Sequence, residues 1–318
     1  MRRVNVGLLG CGTVGRGFVD LLHHERERIR GVAGVDLRLT RILVRDLDKQ
    51  RVGIDRRLLT DRATDVLDGE CELVVELVGG TTCAGAYVRR ALAQGRHVVT
   101  ANKALLASDG TDLFALARHS GVRIGFEASV CGGIPIVRAL QHGLAGDSIE
   151  SISGILNGTT NYILTRMEEA EIGFDAALRL AQNRGFAEAD PTLDIDGHDA
   201  AQKLRILAGL AWGPATSVKL RIAGIRDVTR AEIEGANSRS AAVRHVASAR
   251  RIAGGIELRV ERRELPLGHS LARVKEENNA IVIRGRAVGE IGFSGRGAGS
   301  LPTAAAVMSD VIELARAS

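Results

Sequence analysis

Residues 4–22 read VNVGLLGCGTVGRGFVDLL, and the three glycines of GCGTVG stand between an apolar run and an amphipathic one. Val4 to Leu9 has the composition of a buried strand, and Thr13 to Leu22 places Val14, Phe18, Leu21 and Leu22 on one side of a helix. Strand, tight glycine turn and helix start make the dinucleotide-binding fingerprint. Gly10 allows the turn, Gly12 the close approach of a pyrophosphate, and Gly15 the packing of helix on sheet. The amides and helix dipole at Thr13 and Val14 then favour the negative pyrophosphate. A glycine turn without a ligand reads the same way, so the rest of the chain decides.

Outward from that joint, strands and helices alternate. VDLRLTRILV (35–44) reads as a second strand and RDLDKQR (45–51) as its loop; CELVVELVGG (71–80) is an apolar run ended by two glycines, as in a parallel strand covered on both faces. AYVRRALAQG (86–95) is its helix, RHVVTANKALLA (96–107) a strand running into loop and helix, and LFALARHSG with VRIGFEAS (113–129) repeats the alternation. This order predicts an α/β fold, a Rossmann-type doubly wound parallel sheet. From Gly132 the texture changes. IPIVRALQHGLAG (134–146) reads as a helix, IESISGILNGTTNYILTRME (149–168) as strand, loop and helix, and HDAAQKLRILAGLAW (198–212) as a long helix. AAVRHVASARRI, GIELRVERREL and NAIVIRGRAVGEIGF, between 241 and 293, alternate like antiparallel strands, so a second α+β domain is expected. The tail from Gly295 is a glycine loop and an amphipathic helix with Val307, Val311 and Leu314, returning to the first domain. The expected division is 1–131 plus 300–318 for dinucleotide binding, and 132–299 for substrate binding and dimerisation.

With 318 residues, 45% hydrophobic and 25% charged, the chain is long enough for two cores. No apolar run has bilayer length, and MRRVNVGLLGCG lacks a small-residue cleavage site, which predicts a cytoplasmic protein. The net charge of +5 is spread among acids and aromatic residues make up only 3%, so nucleic acid is not expected. Cys11, Cys71, Cys83 and Cys131 have no C-x-x-C spacing, and no H-x-x-x-H pair encloses an acid, which argues against zinc and for a reduced compartment. Only five of the 43 basic residues are lysines, Lys49, Lys103, Lys203, Lys219 and Lys275. An amine can lose its proton where a guanidinium cannot, so a Lys in this Arg-rich chain is a pointer.

Arg45 and Asp46 follow the second strand, where an acid reads the ribose of NAD and a base the extra phosphate of NADP. Arg45 with Lys49 argues for NADP; Asp46 leaves NAD open. GFAEADPTLDIDGHDAAQKLRIL (185–207) carries Glu188, Asp190, Asp194, Asp196 and Asp199 before Lys203. A calcium loop fails here, because position one is Thr192 and position twelve Lys203. On a helix starting near Gly197, Asp199 and Lys203 share a face and the carboxylate orients the amine, though a surface ion pair would look alike. His198, a rival proton carrier, points about 100 degrees away. Lys103 lies past the end of a parallel strand, on the ligand side of an open sheet. Cys131 as a nucleophile lacks a nearby downstream His.

GLLGCGTVGRG, VVTANKALLA, FEASVCGGIPI, ILNGTTNYIL, AEADPTLDIDGHDAAQKL, GRGAG and PTAAAVMSD together resemble the homoserine dehydrogenases over essentially the whole chain. The resemblance implies NAD(P)-dependent interconversion of L-homoserine and L-aspartate 4-semialdehyde, toward threonine, methionine and isoleucine, in a homodimer. It implies Lys203 as acid/base, Asp199 as substrate or orienting contact, Glu188 on the substrate amino group, Asp194 as a further substrate contact, and Lys103 beside nicotinamide and substrate. Gly297 would close over the cofactor, and Glu127, Val130, Gly132 and Ile134 would hold a monovalent, sodium-like cation. Phe126 and Cys131 depart from the residues more usual at those places. The chain ends at Ser318 without the regulatory ACT domain many relatives carry, so threonine feedback through one is not expected. Oxidising an alcohol needs a group that takes the hydroxyl proton; lysine serves if burial or a cation such as Lys103 lowers its pKa. Two other readings stay open, a phosphorylating semialdehyde dehydrogenase with Cys131 as nucleophile and a non-catalytic NADP sensor.

Overall fold

Val4, Val6, Leu8 and Leu9 are wholly buried, as expected of a strand covered on both faces. In the computed structural model, which describes residues 1–318 apart from Thr216 and Ser318, the chain divides into two units, 1–133 with 299–318, and 134–298.

The first unit is a six-stranded parallel sheet. Its strands are β1 (Arg2–Leu9), β2 (Val35–Leu43), β3 (Leu59–Thr60), β4 (Leu73–Glu76), β5 (His97–Thr100) and β6 (Ile124–Gly125), in the spatial order β3-β2-β1-β4-β5-β6. That is the doubly wound order, and it reverses between β1 and β4, where ligands of open α/β sheets bind. The helix Thr13–His24 follows β1 directly, burying Phe18 and Leu22. The charged stretch after it is a second helix, Arg26–Ala33, that buries Ile29 and Ala33 and ends on Gly34 at φ +72. The terminal helix Ser300–Ala317 belongs to this unit: Val307, Met308, Val311 and Leu314 join the core of Val4, Val6, Leu8 and Phe18. Each such side chain contributes about 1.5–3 kcal/mol when fully buried, so the helix closes the core of a sheet whose last strand ends at Gly125.

The second unit holds β7 (Ile149–Ile155), β8 (Leu220–Ile222), β9 (Ala241–Ile252), β10 (Gly255–Pro266), β11 (Asn278–Gly285) and β12 (Gly289–Arg296), ordered β12-β11-β7-β9-β10-β8. All pairings are antiparallel except β10 with β8. The helices Gly158–Ala170 and Phe174–Asn183 place Tyr162, Ile163, Ala177 and Ala181 in one apolar cluster with Ile195, and the helix His198–Trp212 buries Leu204 and Leu207. The helix expected over 134–146 is instead a short turn, Ile136–Arg138, widening into a π turn at Ala139–Gly143, where the Leu144 amide reaches back to Ala139 at 2.8 Å. Gly143 and Gly146 close that run too soon for a regular helix to propagate.

Candidate active site

In the first unit the three glycines meet three different constraints. Gly10 has φ +98, and a side-chain carbon there would lie 2.6 Å from the Leu77 carbonyl oxygen. One on Gly15 would lie 2.3 Å from the Gly10 carbonyl oxygen, whereas one on Gly12 would meet nothing within 4 Å. Gly12 is exposed and open at the head of the helix Thr13–His24, which carries no acid in its first turn and no side-chain cap. Across the switch point, Glu76 ends β4 wholly buried. It accepts from the Thr100 hydroxyl at 2.6 Å and from the amides of Val78 and Gly79 at 2.8 and 3.1 Å. Asn102 donates to the Gly80 carbonyl at 2.6 Å and caps Leu105 at 3.2 Å, so the loop with Gly79 and Gly80 at positive φ is tied to the start of the helix opened by Lys103. Glu76 and Asn102 were not singled out from the sequence; an acid inside VVELV and an Asn one residue before a helix were the available signals.

Arg45, Asp46 and Lys49 lie exposed in the loop after β2. Asp46 folds this loop, accepting from the amides of Asp48 and Lys49 at 2.8 and 3.1 Å. Cys11 lies close enough to Arg16 and Arg51 to feel their charge, but burial outweighs them and pushes its thiol up. Glu127 and Val130 are buried, as are Gly132 and Ile134, and between them Cys131 holds φ +49 with its side chain 1% exposed.

The second unit sorts the five acids. Glu188 and Asp190 are exposed, and Asp190 turns the chain by accepting from Thr192 at 3.1 Å. Asp196 is paired with Arg226 at 2.9 Å. Asp194 and Asp199 turn inward. Asn157, which ends the run from β7 and caps the helix Gly158–Ala170 through its Oδ1, donates from Nδ2 to Asp194 at 2.7 Å and to Asp199 at 2.8 Å. Thr159 adds a hydroxyl to Asp194 at 3.1 Å. Lys203 then donates to Asp199 Oδ2 at 2.8 Å and to the Leu156 carbonyl at 2.7 Å, its side chain 12% exposed. Gly197 at φ +88 heads the helix His198–Trp212, which puts Asp199 and Lys203 one turn apart on the inner side and leaves His198 exposed. Burial and the Asp199 charge push the Asp194 carboxyl up, against the pull of Asn157, Thr159 and Lys203. Two carboxylates facing one ammonium suit a second cation, and a half-buried amine held by two acceptors suits proton transfer at a fixed point. Gly297 lies against Asn279, where a side-chain carbon would approach its amide to 2.1 Å, so packing alone accounts for that glycine. Asn157 and Thr159 were missed in the sequence because N-G-T after a strand reads as a helix cap, which Asn157 also is.

Residues 135–312 match the family described as homoserine dehydrogenase, and residues 10–127 match its NAD binding domain. The chain is 41% identical to homoserine dehydrogenase of Bacillus subtilis over 98% of its own length and 73% of that relative. Its fold is similar to the crystal structure of a homoserine dehydrogenase from Thiobacillus denitrificans, with a TM-score of 0.96 and 44% identity, covering 99% of this chain and 74% of that one. A hyperthermophilic archaeal homoserine dehydrogenase solved in complex with NADPH has a TM-score of 0.83 at 29% identity, covering 98% of this chain and 97% of that one. With a matched domain on each unit and that identity over almost its full length, the chain belongs to the homoserine dehydrogenase family.

Proposed function

We propose that this chain is a homoserine dehydrogenase that interconverts L-homoserine and L-aspartate 4-semialdehyde with NADP, a step toward threonine, methionine and isoleucine. The observation that carries it is the Asp194–Asn157–Asp199–Lys203 cluster, a titratable amine fixed among acids in a chain whose other unit has the doubly wound sheet. The nicotinamide cofactor accepts or supplies hydride. It fits the open approach at Gly12, with Gly10, Thr13, Val14 and Gly15 at the pyrophosphate. NADP is favoured over NAD because the Asp46 carboxylate is engaged with its own loop amides while Arg45 stands exposed beside it.

In oxidation, the Lys203 amine takes the proton from the hydroxyl oxygen as hydride leaves the carbon that bears it; in reduction, the Lys203 ammonium returns a proton to the aldehyde oxygen. Asp199 and the Leu156 carbonyl aim the nitrogen. Glu188 and Asp194 receive the substrate ammonium, and Lys103 contacts substrate and nicotinamide. A sodium-like ion is held by Glu127 with the main chain at Val130, Gly132 and Ile134. Its support is a buried carboxylate near Cys131, a non-glycine residue at φ +49, and hard oxygen donors suit such an ion. Among the described residues no cluster of three His, Cys, Asp or Glu offers a metal site of another kind. The working form is a homodimer. Its setting is the cytoplasm, which suits four free cysteines, and no helix among the described residues is long and apolar enough to cross a membrane. The test is absorbance at the reduced-nicotinamide band with homoserine added. Growth of the band with NADP, and less with NAD, is expected; no homoserine-dependent growth with either cofactor overturns the reading.

A further inference from the structure

Asn157 links the two inward carboxylates of the acid–amine cluster. Its Oδ1 accepts the Thr160 amide at 2.8 Å, which fixes the amide plane, so both hydrogens of Nδ2 point at carboxylates. One goes to Asp194 Oδ1 at 2.7 Å and one to Asp199 Oδ2 at 2.8 Å. That Asp199 oxygen is the one Lys203 also uses, at 2.8 Å. Behind it, Thr160 lies 3.3 Å from His245 Nδ1 and His245 Nε2 lies 3.1 Å from the Ala223 carbonyl, so the cap is braced by a buried imidazole. Two neighbouring carboxylates repel, and a neutral amide donating to both relieves this without adding a charge that would compete with a cationic substrate.

We infer that Asn157 is a positioning residue for proton transfer: it clamps Asp194 and Asp199 as a pair and shares the Asp199 oxygen with Lys203, drawing off part of the charge that holds the lysine proton. The clamp rests on the reading of Lys203 as the acid/base group. Asp199 faces Lys203 at 2.8 Å, and the Lys203 charge also acts on the Asp194 carboxyl. With the amide gone, Asp199 Oδ2 no longer shares its charge with Nδ2 and holds the Lys203 ammonium more tightly.

Asn157→Ser and Asn157→Thr each keep a helix-capping oxygen but are too short to reach both carboxylates, so the helix is retained and the clamp is lost. The chain's five lysines make Lys203 separable in an NMR titration of isotope-labelled lysine, its resonance being the one missing from Lys203→Arg. The Lys203 midpoint is expected to rise by roughly one pH unit in both variants, and the ascending limb of the kcat profile for homoserine oxidation to move with it. An unmoved or lowered Lys203 midpoint overturns the clamp, even if activity falls. A wild-type protein inactive on homoserine overturns the functional reading instead, and the titration still judges Asn157.

Discussion

Arg45 and Asp46 are neighbours in sequence and differ in what they are free to do. Asp46 Oδ1 accepts from the Asp48 and Lys49 amides, and Arg45 is the group proposed to read the extra phosphate of NADP. Arg45→Ala is expected to weaken NADP binding by about tenfold or more, the scale of one hydrogen bond to a charged group, and NAD binding little; fluorescence titration with each cofactor measures both. Glu188 is exposed, and the substrate ammonium is its proposed partner. Glu188→Gln should raise the KM for homoserine several-fold while leaving NADP binding intact, and unchanged homoserine kinetics would remove that contact. His245 carries a pH prediction. Burial lowers its pKa from 6.5 to about 4, so the unfolded chain takes up its proton first as pH falls. The stability due to a neutral His245 is therefore present above about pH 6.5 and is lost as pH falls toward 4. Between pH 7 and 5 the loss is about 2 kcal/mol, and urea unfolding of His245→Gln should lack that part of the acid slope.

The joint of β1 and the helix Thr13–His24 separates folding from binding within one short motif. A methyl group on Gly15 collides with backbone, so Gly15→Ala should lower stability by about 1–3 kcal/mol. On Gly12 the same methyl meets nothing, so Gly12→Ala should keep wild-type stability within about 0.5 kcal/mol yet weaken NADP binding. Denaturant unfolding and cofactor titration on the two variants give opposite orders if the three glycines divide the work this way. The elements legible in the sequence were those with long periodic patterns: β1 and its helix, the helix His198–Trp212, the hairpin of β9 and β10, and the terminal helix. The two-residue strand β3 was not legible, since two residues carry no period, whereas β6 falls inside VRIGFEAS, where a strand was expected, and LFALARHSG proved to be the second half of one helix, Lys103–His119.

Across the chain, the residues proposed for chemistry come from separated stretches, which is why their types were legible and their geometry was not. Spacing placed Asp199 and Lys203 on one helical face, and they are paired there at 2.8 Å. Spacing alone did not tell Asp194 from Asp196, two residues apart, because which one turns inward depends on Asn157 and Arg226, 37 and 30 residues away. Likewise no local pattern announced that Glu76 and Asn102 tie the loop between them, since the bonds run between the ends of parallel strands. The whole arrangement turns on Lys203 as the group that moves the proton. Lys203→Arg keeps the charge and the partner Asp199 but stays protonated through the working range. Steady-state homoserine oxidation across alkaline pH, with NADP binding checked by fluorescence, should show turnover reduced by roughly 100-fold or more and the lysine limb gone. A near-normal rate with the wild-type pH profile would contradict that assignment.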